Sequence, residues 1–351
     1  IGAIAVPMNS WWQGREIEYG LTDSGSKLVI TDPPRLAQMQ DSLTRLGIDA
    51  VIAKPEDDSH YPEFYSVANS FEPYTDADIA QFDVAPDDRA TILYTSGSTG
   101  NPKGVLSSHR NTLSALYTWK FVKDITETLR PELVDENPEF QPALLANVPL
   151  FHCTGSHAQF LASFLYARKF VMMFKWDPDI ALDLIEKERI SILHGVPTMF
   201  VSMLDHPEFA RFDLRRLRTG VMAGSLCPAS LMARVMKDMH CSGITIGYGM
   251  TETSPISFQS DPGDPPARRV STVGRIQPHV ECRVVDDAGR TLPVGHQGQL
   301  LTRGYLVMKG YWNDSEFTAH AIHDGWMHTG DLATIDTEGY CQITGRAGDM
   351  L

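Results

Sequence analysis

The chain has 351 residues, of which 42% are hydrophobic and 21% are charged, and its formal net charge is -14. This length is about twice that of a typical single domain, so we expect two or three subdomains with sizeable cores. The composition is that of a globular protein and excludes a disordered or fibrous chain. The acidic balance excludes a nucleic-acid partner, because binding to a phosphate backbone needs clustered Lys and Arg.

The cysteine pattern indicates the redox environment of the protein, and the first residues indicate whether a signal peptide is present. Its scattered cysteines form neither a C-x-x-C pair nor a zinc spacing; they are Cys153, Cys227, Cys241, Cys282 and Cys341. We therefore predict free, buried thiols in a reducing cytoplasm. The chain opens without a methionine or a basic lead-in, which favours the middle of a longer protein over a signal peptide.

In chain order, short apolar runs alternate with helical patterns, which is typical of parallel βαβ units. Strands are predicted at residues 28–31, 50–53, 90–95, 144–148, 170–174, 190–193, 219–223 and 244–248. Helices are predicted at residues 34–46, 179–188 and 228–239. A polar, acidic linker occupies residues 54–89. These elements predict a doubly wound α/β body with mostly parallel sheets and helices on both faces.

Two further stretches complete the prediction of the fold. Residues 140–167 carry no charged side chain, but Pro149 and Gly155 interrupt them, so we predict a buried strand, turn and helix rather than a membrane span. The polar stretch 124–141 has no clear period and is predicted to be a surface excursion. Beyond residue 271, short strands with glycine turns, such as 280–285, 299–303 and 340–344, predict a smaller β-rich, barrel-like subdomain.

The most distinctive chemical feature is a loop rich in Gly, Ser and Thr that directly follows the strand at 90–95. Its small residues let backbone N–H groups approach phosphate oxygens, and its hydroxyls and Lys103 add donors and positive charge. The predicted polyphosphate site comprises Thr95, Ser96, Gly97, Ser98, Thr99, Gly100 and Lys103. The loop is not the nucleoside-triphosphatase P-loop, because Pro102 separates its glycines from Lys103. It also lacks the G-x-S-x-G pattern of serine hydrolases, and its dense hydroxyls argue against an ordinary solvated turn.

This loop resembles the phosphate-binding motif of adenylate-forming enzymes, which include acyl-CoA synthetases, luciferases and peptide-synthetase adenylation domains. Residues 248–252, 328–331 and 345–346 resemble three further motifs of that family, in the same order. The resemblance covers nearly all of the chain, and four ordered motifs leave little room for chance.

The resemblance implies a role for each matched residue. The Tyr248 ring would stack on adenine, Thr251 would contact phosphate, and Glu252 would hold Mg²⁺. Asp331 would grip the ribose hydroxyls, and Arg346 would also contact the ribose. Without the resemblance, a turn cap for Asp331 and a solvated Arg346 are the favoured interpretations. The predicted AMP contacts here are Ala223, Gly224, Ser225, Tyr248, Gly249, Met250, Thr251, Asp331 and Arg346.

The acyl partner is less defined by the sequence. Residues 149–155 resemble the segment at the acyl and CoA tunnel of the family, which makes His152 a candidate gate, with a structural turn histidine as the alternative. The predicted tunnel residues are His152, Gly155, Met222 and Gly224. Residues 220–255 look closest to medium-chain and long-chain fatty acyl-CoA synthetases. Apolar pockets discriminate chain length only weakly, so the identity of the substrate is open. An aryl or sulfur-containing acid ligase is an alternative.

The implied chemistry is attack of a carboxylate on the α-phosphate of ATP with release of pyrophosphate, followed by attack of the CoA thiol on the acyl adenylate. The predicted catalytic residues are Lys103, His152, Thr251 and Glu252, with Mg²⁺ as cofactor and ATP and CoA as co-substrates. The expected partners are small molecules. The sequence is also compatible with peripheral membrane contact and with a homodimer.

The family's small C-terminal lid carries a lysine for adenylation and would follow a hinge two residues beyond Arg346. There Gly348 stands in place of the more common Lys or Asp, and glycine permits the rotation of a hinge. We therefore expect a chain truncated at both ends, and an alternative of another class is a nucleotide and acyl-adenylate binding module without efficient turnover. The predicted subdomains are 1–89 (first α/β part with linker), 90–270 (nucleotide and acyl binding), 271–344 (β-rich) and 345–351 (start of the hinge).

Overall fold

The computed structural model describes residues 2–53, 64–70, 72, 75–95, 100–133 and 140–347. The chain divides into two compact units. The first unit consists of Ile1–His109 and Lys309–Ser315, and the second consists of Arg110–Met308 and Glu316–Leu351.

The described residues form these helices and strands. The α-helices are α1 Gly14–Ser24, α2 Pro33–Leu46, α3 Phe64–Asn69, α4 Asp76–Ile79, α5 His109–Leu129, α6 Ala162–Leu165, α7 Pro178–Lys187, α8 Pro197–Leu204, α9 Ala229–Asp238, α10 Pro266–Ser271 and α11 Ser315–Ala321. The strands are β1 Leu28–Thr31, β2 Asp49–Ile52, β3 Arg89–Thr95, β4 Lys103–Ser108, β5 Ala143–Ala146, β6 Lys169–Met172, β7 Ile192–Gly195, β8 Thr219–Met222, β9 Gly243–Tyr248, β10 Phe258–Gln259, β11 Arg275–Ile276, β12 Val280–Val285, β13 Gly298–Gly304, β14 Gly310–Tyr311, β15 Ile322–His323, β16 Trp326–Ile335 and β17 Cys341–Arg346.

The first unit contains a parallel pair, β1 and β2, and an antiparallel sheet with the order β14-β4-β3. Helix α2 connects the parallel pair. It begins where the Asp32 side chain accepts a hydrogen bond from the Arg35 N–H, and it ends at Gly47 in the left-handed conformation. The hairpin of β3 and β4 closes at the pair Thr95 and Lys103. The first unit therefore presents Lys103 at the end of a two-stranded ribbon.

The second unit is organised around a sheet that, in the described residues, has the order β11-β10-β9-β8-β7-β5-β6. The strands from β9 to β6 run parallel, and β10 and β11 are antiparallel. From β5 the chain forms β6 on one side and then returns to form β7 on the other side of β5. The carboxyl ends of β5 and β7 thus define a topological switch point, where open α/β sheets bind ligands.

Helix α7 illustrates how the sequence builds the core of this unit. The Asp177 side chain accepts hydrogen bonds from the N–H groups of Asp179 and Ile180, and Pro178 occupies the first turn. Three residues of one helix face, Ala181, Leu182 and Ile185, are fully buried. Burial of one leucine side chain is worth about 1.5–3 kcal/mol, so this face anchors the helix.

The second sheet of this unit is antiparallel, with the order β12-β13-β16-β15 and with β17 paired to β16. In the β16–β17 ladder, Asp331 pairs with Arg346. This pairing places the two residues side by side, although the sequence separates them by a turn.

The predicted α/β body followed by a smaller β-rich region is confirmed. The cysteines are free, as predicted, and all are buried except the partly buried Cys282. Within the described parts of the chain, no helix is both long enough and apolar enough to cross a membrane. The domain boundaries predicted from the sequence stay predictions.

The surface excursion predicted for residues 124–141 is wrong in its first part, because α5 continues to Leu129. Its buried side chains, Asn111, Thr112, Ala115 and Leu116, all lie in the first half of the helix. Five large apolar side chains lie instead on the exposed face: Leu113, Tyr117, Phe121, Ile125 and Leu129. A helix is usually recognised in a sequence by the alternation of an apolar buried face with a polar exposed face. Here the exposed face is also apolar, so this alternation is weak. Residues 134–139 lie outside the described residues.

We predict that Leu182→Ala destabilises the protein strongly, whereas Ile180→Ala on the same helix does not. Leu182 is fully buried and Ile180 is 50% exposed. Removing a buried leucine side chain costs about 2–5 kcal/mol of unfolding free energy, and a surface change costs about 0.5 kcal/mol or less. The midpoint of denaturant unfolding measures both effects. Equal midpoints for the two variants would contradict this account of the core.

Candidate functional site

A buried carboxylate in the second unit receives two partners at the ends of different strands. The Tyr248 hydroxyl, at the end of β9, donates a hydrogen bond of 2.5 Å to Asp331 Oδ2. Arg346 Nε lies 3.2 Å from Asp331 Oδ1. Only 9% of Asp331 is exposed. Since an unpaired buried charge is costly, these two partners explain how the carboxylate is tolerated there.

The surroundings of this carboxylate fix its orientation and the protonation of its partner. Thr329 Oγ1 donates to the Leu300 carbonyl at 2.8 Å and accepts from the Asp331 N–H at 3.1 Å. Burial, and next the negative charge of Asp331, raises the pKa of the Tyr248 phenol. The phenol therefore stays protonated and remains a donor.

The turn after β9 presents Thr251 and Glu252. Only glycine fits at position 249, because a Cβ there would lie 2.0 Å from the Pro255 carbonyl oxygen. The Met250 N–H donates to Thr253 Oγ1 at 3.1 Å, which closes a short 3-10 turn over Thr251–Thr253. Glu252 is buried, and its carbonyl accepts from the Met308 N–H at 2.9 Å. The backbone at Glu252 is therefore held in place.

A second turn, after β5, brings His152 and Cys153 to the same region of the unit. Cys153 Sγ lies 3.5 Å from Thr251 Oγ1. Burial raises the pKa of the Cys153 thiol to about 11, so this thiol is neutral and not a nucleophile. A Cβ at position 155 would lie 2.1 Å from the Pro149 carbonyl oxygen, which requires glycine there. The turn is therefore tightly packed within itself, and Cys153 brings it next to Thr251.

The two histidines of this turn have different environments. His152 Nδ1 accepts a hydrogen bond of 3.2 Å from the Thr154 N–H, and burial lowers its pKa. His157 is buried, with its Nε2 3.2 Å from Thr112 Oγ1 and its Nδ1 2.8 Å from Ser156 Oγ. Burial lowers the pKa of His157 to about 4. His157 is thus a neutral core residue, whereas the gate role of His152 stays a prediction.

Residues 154–161 form a π-helix, a rare conformation that often marks functional sites. It carries Gln159, which is 0% exposed. Gln159 Nε2 donates to Asn147 Oδ1 at 2.7 Å, and Asn147 Nδ2 donates to the His194 carbonyl at 2.7 Å. This amide pair spans the carboxyl ends of β5 and β7, at the switch point. Sequence reasoning missed it, although two amides in an uncharged apolar stretch were the available signal.

The end of β8 lies next to the switch point. The Ala223 N–H donates to the Gly195 carbonyl at 3.2 Å, and Gly224 has a φ of +84° that favours glycine. The Met222 side chain is fully buried in the hydrophobic core, whereas Ser225 is exposed. Roles for these residues in adenine or acyl contacts stay predictions.

The first unit carries the other predicted phosphate contacts. Thr95 Oγ1 donates to the Lys103 carbonyl at 3.4 Å, and Lys103 Nζ lies 5.7 Å from the centre of the Tyr311 ring. Gly100 has a φ of +113°, which favours glycine. Other predicted site residues lie outside the described residues: Ser96, Gly97, Ser98, Thr99 and Gly348.

The described residues contain no cluster of three or more His, Cys, Asp or Glu side chains suited to a metal ion. Mg²⁺ does not require such a cluster, because it is commonly held by one or two carboxylates together with substrate phosphates. The buried Glu252, with the hydroxyl of Thr251 adjacent to it in sequence, offers this kind of oxygen donor. The residues present therefore fit a phosphate-bound Mg²⁺.

Comparison with known proteins identifies the class of this fold and site. The model of the AMP-binding enzyme family matches residues 1–312. The chain belongs to this family of adenylate-forming enzymes. The members of the family described below, which are similar to this chain, are acyl-CoA synthetases and ligases.

Individual relatives agree with this assignment. YngI of Bacillus subtilis (strain 168), provisionally named an acyl-CoA synthetase, is 37% identical over 375 residues, covering all of this chain and 66% of YngI. The mitochondrial medium-chain acyl-CoA ligase ACSF2 of Danio rerio is 33% identical, covering all of this chain and 60% of ACSF2. The anthranilate CoA ligase AuaEII, solved with anthranoyl-AMP, has a TM-score of 0.84 at 25% identity, covering 100% of this chain and 64% of AuaEII. The chain thus spans less than two thirds of the length of these relatives.

We predict that His157 makes the protein less stable as the pH falls from about 6.5 to 4. Its pKa is about 4 in the fold, against an ordinary value of 6.5. In this window the unfolded chain binds a proton that the folded chain cannot bind, so the free energy of unfolding decreases by about 3 kcal/mol. Above pH 6.5 both states are neutral at this position and the contribution is constant.

The measurement is denaturant unfolding between pH 4 and 8 for the original protein, for His157→Gln and for the exposed-site control His296→Gln. His157→Gln should flatten the pH dependence, while the control keeps it. His194, whose pKa burial lowers to about 3, supplies a slope that persists in all three proteins. An unchanged slope in His157→Gln would refute the assignment.

Proposed function

We propose that the protein activates a carboxylic acid with ATP, forming an acyl adenylate and pyrophosphate, and then transfers the acyl group to CoA. The observation that carries this proposal is the buried Asp331 held by Tyr248 and Arg346 in a chain of the AMP-binding family. The acyl-CoA synthetase and ligase names of the similar proteins support it. A cytoplasmic location and a homodimer stay predictions.

The nucleotide contacts follow from the hydrogen-bonding capacity of the carboxylate. An ionised carboxylate has about four acceptor positions. Tyr248 and Arg346 approach one oxygen each of Asp331. About two acceptor positions therefore remain, which is enough for the two ribose hydroxyls. The Tyr248 ring provides a face for adenine. Asp331 would therefore accept hydrogen bonds from the ribose while it keeps Tyr248 and Arg346 as partners.

The phosphate contacts combine charge and hydroxyl donors. Glu252 and the Thr251 hydroxyl would hold Mg²⁺ and a phosphate oxygen, and Lys103 of the first unit would contribute a positive charge to the phosphates. Mg²⁺, when bound, neutralises charge on phosphate oxygens. Catalysis is then mainly positioning and electrostatic stabilisation of the charge that develops on these oxygens.

The acid substrate that we propose is a medium-chain or long-chain fatty acid. The turn with His152 leads into the π-helix, whose apolar side chains include Phe160 and Leu161. ACSF2, named as a medium-chain acyl-CoA ligase, supports a fatty acid. A second candidate is an aryl acid, because AuaEII is named as an anthranilate CoA ligase and contains anthranoyl-AMP.

We predict that pyrophosphate release, measured with the protein in its full native length, is fastest with a straight-chain fatty acid. Each additional buried methylene contributes at most about 1–3 kcal/mol of discrimination, so the kcat/KM values of neighbouring chain lengths should differ by no more than about 200-fold. The panel contains fatty acids of increasing length, aryl acids and amino acids, each with ATP, Mg²⁺ and CoA. A kcat/KM for an aryl acid far above every fatty acid would establish the second candidate instead. No pyrophosphate release with any acid, together with ATP binding, would favour a binding module.

We predict that Glu252→Gln lowers the rate of pyrophosphate release by about 100-fold, because it removes one charge from the site at nearly constant shape. The rate is measured over a titration of Mg²⁺, and excess Mg²⁺ should restore part of the activity. The control is Glu316→Gln, which changes an exposed glutamate of the same unit. Equal activity of Glu252→Gln and the original protein at limiting Mg²⁺ would exclude the metal-binding role.

A further inference from the structure

We propose that Tyr19 and Asp23 of helix α1 are positioning residues for Lys103, and so determine how the first unit holds the phosphates of ATP. The inference rests on the proposed function, in which Lys103 contacts these phosphates. It adds two residues that lie far from Lys103 in the sequence and in none of the motifs. Their side chains contact the two arms of the hairpin that presents Lys103.

Helix α1 contacts the hairpin on both sides of the closing pair Thr95 and Lys103: at Tyr94 in β3, and at Pro102, the last loop residue before β4. On the β4 side, the Tyr19 hydroxyl donates a hydrogen bond of 3.1 Å to the carbonyl of Pro102. On the β3 side, the Tyr94 hydroxyl donates a hydrogen bond of 2.6 Å to Asp23 Oδ2. One helix therefore fixes the entry and the exit of the loop.

The spacing of the two residues makes this possible. Tyr19 and Asp23 are four residues apart on α1, so both side chains lie on one face of the helix. Proline has no backbone N–H, and its carbonyl is therefore the only backbone polar group through which Pro102 can be tied down. Tyr19 supplies that tie directly before Lys103.

The helix end that carries Asp23 is itself held in place. The backbone carbonyl of Asp23 accepts hydrogen bonds from Trp312 Nε1 at 2.8 Å and from Asn313 Nδ2 at 3.0 Å. The Tyr94 ring packs against the Trp12 ring at 5.5 Å and against the Tyr19 ring at 6.3 Å, both edge-on. Burial, and next the hydrogen bond to Asp23, raises the pKa of Tyr94, so its hydroxyl stays a donor.

The hairpin packs closely against neighbouring side chains at Gly104. A Cβ at Gly104, the partner of Tyr94 in the ladder, would lie 2.8 Å from Ile92 Cγ2 and 3.2 Å from Trp312 Cβ. Lysine is a point charge on a flexible stem, so its reach is set by the position of its backbone. Since a displacement of about 1 Å in a catalytic site can cost about 100-fold, a fixed origin for Lys103 has a functional value.

The test is a double-mutant cycle between Tyr19→Phe and Lys103→Ala, read by calorimetry of ATP binding in the presence of Mg²⁺ on residues 1–351. Tyr19→Phe removes only the hydroxyl. We expect it to weaken ATP binding about 3-fold to 10-fold, in the range of one hydrogen bond. In the Lys103→Ala background the same change should have no further effect, because the group that Tyr19 positions is gone. The matched control, Tyr117→Phe, changes a tyrosine of the second unit that is 59% exposed and should bind ATP like the original protein.

The outcomes separate this inference from the proposed function. If the original protein does not bind ATP, or if Lys103→Ala binds it normally, the proposed phosphate role fails and the positioning role fails with it. If Lys103→Ala weakens binding but Tyr19→Phe does not, only the positioning role is overturned. If Tyr19→Phe weakens binding equally in both backgrounds, its effect is a general structural one, and the positioning role is again overturned. Asp23→Leu, which removes the acceptor of the Tyr94 hydroxyl at a similar side-chain size, should repeat the Tyr19→Phe pattern.

Discussion

The hydrogen bond between Tyr248 and Asp331 is the interaction on which the candidate nucleotide site of the second unit depends. It joins the end of β9, in the mostly parallel sheet, to β16, in the antiparallel sheet. The bond gives a hydrogen-bond partner to a carboxyl group in a residue that is only 9% exposed, and Arg346 lies 3.2 Å from its other oxygen. Without both partners the carboxylate would lose the compensation for its desolvation. This hydrogen bond therefore links the two sheets at the candidate site.

The remaining site residues of that unit lie where strands end. Asn147 follows β5, Ala223 follows β8, and Thr251 follows β9 by a short turn. The carboxyl ends of parallel strands meet at one edge, and the strand order reverses between β5 and β7. Residues that are remote in the sequence, such as Cys153 and Thr251, consequently come within 3.5 Å. The sheet order, rather than any single motif, explains why these turns are neighbours.

The sequence predicted the features that depend on local patterns. The βα rhythm predicted the sheet of the second unit, and the motif residues led directly to Tyr248, Asp331 and Arg346. It could not predict the amide pair of Asn147 and Gln159, or the bond from Tyr19 to Pro102, because contacts between residues 12 and 83 positions apart leave no periodic signal. The second half of helix α5 was not predicted for another reason. Its exposed face is apolar, so the sequence lacks the usual contrast between an apolar buried face and a polar exposed face.

Gly155 and Gly249 restrict how this molecule can be altered in the laboratory. A single methyl group at either position would lie about 2 Å from a carbonyl oxygen of a tightly packed turn. Random mutagenesis followed by selection for folded protein should therefore return almost only glycine at these two positions. Substitutions in this turn are better directed at neighbours whose side chains have space, such as Thr154 and Ser156, which are partly exposed. A library directed at these neighbours, with both glycines kept, would contain a larger share of folded variants.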